Sequence, residues 1–136
     1  HSDGKQRRDY IYVDDLINLA ILVQKTKGFD CVNVSSNQNY SVNEMYDITR
    51  QIMNKDIPAT YTDTGNYWCK YPELYEGAFP IRNEILEHEV NKYSLCDNTL
   101  AREKYGWVPL VDMKQGLKNV VEYIVQLLST KVGTNR

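Results

Sequence analysis

Cysteine, histidine and phenylalanine are scarce in this 136-residue chain, and it has neither a long apolar run nor a surplus of one charge sign. Cys31, Cys69 and Cys96 are odd in number and form no Cys-x-x-Cys pair, and only His1 and His88 are there to join them. That argues against a disulfide framework and against a zinc site, so no metal is expected. Sixteen basic and eighteen acidic side chains leave a formal charge of −2. No global field then draws in nucleic acid or anionic lipid, and any phosphate recognition has to be local. The apolar runs fall far short of the ~20 residues a membrane helix needs, and the polar, basic N-terminus lacks the apolar stretch of a signal peptide. Neither a nucleic-acid nor a membrane partner is expected, and a cytoplasmic location follows by default. The chain opens on His1 rather than Met, as a trimmed or processed piece would.

What is present suits one soluble domain over residues 1–136. Hydrophobic residues make up 42% of the chain and charged residues 25%, and a chain of this length buries roughly two thirds of its unfolded surface. Residues 10–13, Tyr-Ile-Tyr-Val, have the aromatic and β-branched character of a buried strand. Asp14 is placed to cap a helix over Leu16, Ile17, Leu19, Ala20, Ile21, Leu22 and Val23, ending at Gly28 after Lys25 and Lys27. That helix is apolar nearly all round, so it should be covered on more than one side. Residues 31–35 read as a second strand.

Ser41 and Glu44 form a capping box, with Tyr40 and Met45 at hydrophobic-staple positions, and Val42, Met45, Tyr46, Thr49, Ile52 and Met53 then recur at helical spacing. Pro58 marks the exit toward a strand at 59–62. Residues 63–93 carry Tyr67, Trp68, Tyr71, Tyr75 and Phe79 among Gly65, Gly77, Pro72 and Pro80, and are expected to be irregular, with the aromatics a candidate substrate surface or a small local core. Asp97 is a further helix cap and Gly106 its left-handed stop, followed by a structural Trp107. Asp112 with Gln115 opens a last helix striped by Met113, Leu117, Val120, Val121, Ile124, Leu127 and Leu128, and the tail after Thr130 should fray. Strands alternating with helices indicate an α/β fold, with the first two strands parallel because a helix joins them.

The order of three motifs carries a resemblance. Gly4-x-Gln6-x-Arg8-Asp9-Tyr10-Ile11-Tyr12-Val13-Asp14-Asp15 comes first, and Val32-Asn33-Val34-Ser35 stands ahead of Ser41. Asp97 then leads to Tyr105-Gly106-Trp107-Val108-Pro109 and Gly116-Leu117. Together they resemble the C-terminal, substrate-binding part of NAD-dependent nucleotide-sugar epimerases and dehydratases in the extended short-chain dehydrogenase/reductase family.

The resemblance implies an incomplete Rossmann-type fold: a few mostly parallel strands with a small helical substrate-binding subdomain. It implies a nucleoside diphosphate sugar as ligand, with Arg8 on the pyrophosphate and Asn33 near it. A guanidinium offers phosphate a planar fork, and such a charge-assisted bond contributes about 1.5 to 3 kcal/mol. The second arginine that the family often carries before Asp97 is missing, since residues 87–93 read Glu-His-Glu-Val-Asn-Lys-Tyr. Lys92, or Arg82 from farther away, is left to supply that charge.

Plainer readings stand beside these: Arg8 as a surface residue paired with Asp3 or Asp9, and Asn33 as a side chain satisfying a backbone group at a strand end. The family's chemistry also needs a glycine-rich turn for NAD and a Tyr-x-x-x-Lys pair. Glycines at 4, 28, 65, 77, 106, 116 and 133 permit no such turn, and none of the eleven tyrosines has lysine four residues on, Tyr46 with Arg50 coming nearest. No catalytic and no cofactor-binding residue is therefore expected in the chain, NAD(P) being the parent enzyme's. The expectation is a substrate-binding part, inactive alone, or else a non-catalytic sugar-nucleotide-binding or interaction module. Open sheet edges imply self-association into a homo-oligomer.

Overall fold

A computed structural model describes residues 2–133, apart from the side chains of Tyr67 and residues 131–133. Two three-residue strands, β1 (Arg7–Asp9) and β2 (Asn39–Ser41), pair antiparallel with Arg7 opposite Ser41 and Asp9 opposite Asn39. Around them lie helices α1 (Val13–Val23), α2 (Val42–Ile52), α3 (Gly65–Trp68), α4 (Asn83–Val90), α5 (Thr99–Tyr105) and α6 (Met113–Gly133), with a 3-10 turn at Pro72–Tyr75.

The α/β class stands, but the direction of pairing is corrected. Residues 10–12 lead into α1 without joining a ladder, and residues 31–35 have no ladder partner among the described residues. Their β-type composition suits strands buried between neighbours, and neither segment finds a neighbour here. Residues 59–62 are likewise no strand. The ladder that does form uses Arg7, Arg8 and Asp9, charged residues that no β-propensity rule selects. A parallel bridge from Arg7 to Tyr93 lies on the other side of β1, with Arg7 N donating to Lys92 O (2.9 Å) and Ser94 N to Arg7 O (3.0 Å).

α1 begins two residues earlier than expected, because Asp15 N and Leu16 N both donate to Tyr12 O. Asp14 therefore does not cap it; it lies in the first turn, where a carboxylate complements the helix dipole. The helix ends at Val23, so Lys25, Lys27 and Gly28 lie beyond its last turn. Leu19 faces the core, whereas Val13, Leu16, Ile17 and Ile21 remain exposed. The helix is thus covered on one side only.

The Ser41–Glu44 box forms in full: Glu44 N donates to Ser41 Oγ (3.1 Å) and Ser41 N to Glu44 Oε2 (2.7 Å). These bonds from Ser41, and behind them the Arg7 guanidinium, hold the Glu44 carboxyl below its usual range. Their contribution to α2 is present above the ordinary carboxylate range and fades as pH falls through the depressed value.

Helices occupy much of the segment 63–93, because its prolines stand at element boundaries: Pro72 opens the 3-10 turn and Pro80 precedes α4. Asn98, not Asp97, holds the cap position of α5, although Asp97 Oδ1 accepts from Thr99 N at 2.8 Å. Gly106 makes the left-handed stop at φ 63°. Gln115 N donates to Asp112 Oδ1 (2.8 Å) at the start of α6. That helix runs to Gly133, so Thr130 does not end it, and residues 134–136 lie outside the described residues.

The core is small. Leu19, Ala101 and Trp107 are buried, with Ile11, Leu22, Val23, Val32, Val34 and Tyr105 packed around them, so α1, α5 and the turn after α5 share one apolar contact. α2 packs on α6. Val120, Ile124 and Leu128 of the α6 stripe stay exposed.

Candidate functional site

β1 is the element that places the charged groups. Side chains alternate across a strand, so Arg7 and Arg8 leave it on opposite faces. Arg7 turns to β2 and α2: its Nε donates to Asn39 Oδ1 (2.9 Å), its Nη2 to Asn39 O (2.9 Å), and its Nη1 pairs with Glu44 Oε2 (2.8 Å). Arg8 turns to α4, where its Nη2 donates to Glu89 O (3.1 Å) and Glu89 Oε2 (2.8 Å). Its Nη1 is buried without a hydrogen-bond partner. An unpaired buried donor costs about 1–3 kcal/mol, more when charged. A fully engaged arginine and a half-engaged one thus stand side by side.

The parallel bridge carries the end of α4 alongside β1 and so brings Lys92 to the same place. Lys92 Nζ pairs with Glu89 Oε1 (3.0 Å), and Glu89 bridges two cations. The Lys92 ammonium first, then the charges of Arg8 and His88, hold the Glu89 carboxyl below its usual range. Two cations against one carboxylate leave the cluster with local positive charge, in a chain whose net charge is −2.

Of the four residues singled out from sequence, the structure brings Arg8 and Lys92 together. Arg82 is exposed at the N-cap position of α4, seven positions before Glu89, or about 10 Å along the helix. Asn33 Nδ2 donates to Asp97 O (3.1 Å), which is the backbone-satisfying role. Neither Asp3 nor Asp9 is the ion-pair partner of Arg8; Asp3 pairs with Lys5 instead.

Two carboxylates that sequence reasoning passed over hold this region in shape. Asp9, beside Arg8, accepts from Ser36 N (3.0 Å), Ser36 Oγ (2.8 Å) and Cys96 N (3.2 Å), and the buried Ser35 hydroxyl lies against its Oδ2. It thereby ties β1 to the turn at 35–36 and to the segment before α5. Asp15, only 1% exposed, accepts from Leu110 N and Val111 N, each at 3.0 Å, while its own carbonyl accepts from Trp107 Nε1 (2.9 Å). The one signal available for Asp9 was the Ser35-Ser36 pair where the segment read as a strand, 31–35, ends.

An apolar cleft of about 330 Å³ lies between residues 10–12, the start of α2 and α6, lined among others by Tyr10, Tyr12, Tyr40, Met45, Leu117 and Val120. Gly116 permits the close approach of α6, because a Cβ there would stand 3.3 Å from Tyr12 Cδ2. In the aromatic segment Phe79 is 96% exposed, and Tyr75 is among the residues lining an open depression beside α3. Among the described residues no group of His, Cys, Asp or Glu has metal-binding geometry, and no helix is long and apolar enough to cross a membrane.

The N-termini of α1 and α2 do not fit the pyrophosphate of NAD. Such a group takes free N–H groups at a helix N-terminus after a glycine turn. At α2 the Glu44 carboxylate and Ser41 hydroxyl already occupy that end, and α1 opens with Asp14 and Asp15 and has no glycine before it. Gly4 is closed off, since a Cβ there would meet Asn43 Oδ1 at 2.0 Å. Tyr46 and Arg50 do not mimic a Tyr-Lys pair either: Tyr46 Oη donates to Ile57 O, and Arg50 pairs with Asp47 and Asp56.

This arrangement is that of nucleotide-sugar epimerases and dehydratases of the extended short-chain dehydrogenase/reductase type, as a partial α/β fold. Residues 1–120 match the family model described as GDP-mannose 4,6 dehydratase, and the chain belongs to that family. It is similar to GDP-mannose 3,5-epimerase 1 of Oryza sativa subsp. indica, with 28% identity over 116 residues covering 85% of this chain and 25% of the relative. UDP-glucose 4-epimerase from Thermotoga maritima, solved with UDP-glucose, matches with TM-score 0.71 and 28% identity over 93% of this chain and 34% of that one. UDP-glucuronic acid 4-epimerase from Bacillus cereus, in complex with UDP-glucuronic acid and NAD, matches with TM-score 0.68 over 93% and 34%, and at 20% identity that likeness is one of fold alone. The chain thus spans about a quarter to a third of the length of the proteins it matches.

Proposed function

We propose that these residues hold the diphosphate of a sugar nucleotide, with Arg8 as the principal contact and Lys92 as a second charge, and that the NAD-dependent step belongs to elements these 136 residues do not contain. The buried, unpartnered Nη1 of Arg8 carries the reading: it is a fork with one tine free, in a cluster of net positive charge. Family membership supports it, as does the likeness to an epimerase solved with UDP-glucose.

Calorimetric titration with UDP-glucose and GDP-mannose tests it. Arg8→Ala is expected to weaken binding by about 10- to 100-fold, the worth of one charge-assisted bidentate contact. Equal affinity in the variant sinks the reading. With NAD supplied, the purified chain is expected to give no epimerised or dehydrated product; measurable turnover would show that these residues do supply the chemistry. Self-association is part of the same reading, supported by the exposed apolar face of α1 and the unpaired segment 31–35. Light scattering at high concentration reports it, and a clean monomer counts against it.

A further inference from the structure

We propose that Glu89 is a gate on the Arg8 site, an internal carboxylate holding the place of the ligand's phosphate and moving off when a diphosphate binds. The inference rests on the phosphate reading of Arg8 given above.

Three observations carry it. First, Glu89 engages both cations of the cluster at once, Arg8 through Oε2 at 2.8 Å and Lys92 through Oε1 at 3.0 Å. Any anion arriving there has to replace it. Second, the fit between Glu89 and Arg8 is one-sided: both contacts fall on Nη2, and Nη1 is buried with no partner. A phosphate group, with several oxygens, can lie side-on across both nitrogens, which a carboxylate held at this angle does not do. The exchange therefore recovers a contact that the resting state forgoes. Third, the element that carries Glu89 is loosely held. α4 has no buried residue, Ile85 on it is exposed, and Glu89 stands in its last turn, followed by an Asn91 that bonds back to Glu87 O. Local opening at such a place is inexpensive.

The gate also sets a preference. With Glu89 in place the cluster offers one net positive charge, and with Glu89 withdrawn it offers two, so the exchange favours a ligand bringing more than one negative charge. Lys92, released from Glu89, is then free for the second phosphate. A diphosphate meets both cations; a singly charged anion competes with Glu89 on equal terms and gains little.

The test is titration of the chain and its Glu89→Gln, Glu89→Ala, Arg8→Ala and Arg8→Ala/Glu89→Gln variants with UDP-glucose, GDP-mannose and inorganic pyrophosphate, with thermal melts to confirm folding. Both Glu89 variants are expected to bind about 3- to 10-fold tighter than the unmodified chain, the range set by removing an exposed competing ion pair and its repulsion of the ligand. The double variant is expected to bind no better than Arg8→Ala. If both Glu89 variants fold but bind no tighter while Arg8→Ala weakens binding, the gate is overturned and the phosphate site stands. If Arg8→Ala binds as well as the unmodified chain, or if no protein binds any of the three probes, the underlying reading fails and the gate fails with it.

Discussion

Trp107→Ala is expected to lower the unfolding free energy by about 3–5 kcal/mol, the usual cost of deleting a fully buried large aromatic. The indole is 2% exposed and shares the core with Leu19 and Ala101, so its removal leaves a cavity where α1, α5 and the following turn meet. It also strips a donor from Asp15 O, which Trp107 Nε1 reaches at 2.9 Å. A domain of this size has about 5–15 kcal/mol in all, so the variant should be partly unfolded at 37 °C. Denaturant unfolding followed by circular dichroism gives the number, and a loss under about 1 kcal/mol would mean that the indole is not the core's keystone.

Asp15→Ala is the second large effect, at about 2–4 kcal/mol. The carboxylate accepts from Leu110 N and Val111 N, and alanine leaves both donors without that partner in a part-buried turn. Asp15→Asn keeps one acceptor oxygen and turns an NH₂ toward the other donor, so it should fall between alanine and the native residue. The side chains at 15 and 107 hold the same turn to α1, and a double-mutant cycle in urea should therefore show coupling rather than additivity. Additive losses would mean that the two act on separate parts of the structure.

Those two residues also mark where the sequence was legible and where it was not. Local chemistry read well. The Ser41–Glu44 box, the Asp112–Gln115 start and the Gly106 stop each depend on groups within three or four residues, and all three form. Tertiary partners read poorly. Residues 10–13 and 31–35 have strand composition, yet the ladder forms at Arg7–Asp9, because pairing is decided by what lies opposite and not by propensity. α4 escaped notice because Asn-Glu-Ile-Leu-Glu-His-Glu-Val has only Leu86 and Val90 paired at helical spacing, and nothing on it is fully buried. Within the site, Arg8 and Lys92 were legible as charges suited to phosphate. Glu89 between them was not, since only the bridge from Arg7 to Tyr93 brings α4 there. Asp9 and Asp15 look like any other acidic residues until their donors, 26 to 96 positions away, come into contact.

The Asp9 cluster bears on the order of folding. Its donors come from residues 26 and 27 positions along the chain and from one 87 positions along. Closing loops of that length costs entropy before any contact returns it, and chains rich in such contacts fold slowly. α2, α5 and α6 draw on their own neighbourhoods and are free to form early. Arg8 has no fixed address until Cys96 has reached Asp9, so its guanidinium is set in place only after the locally determined helices have formed.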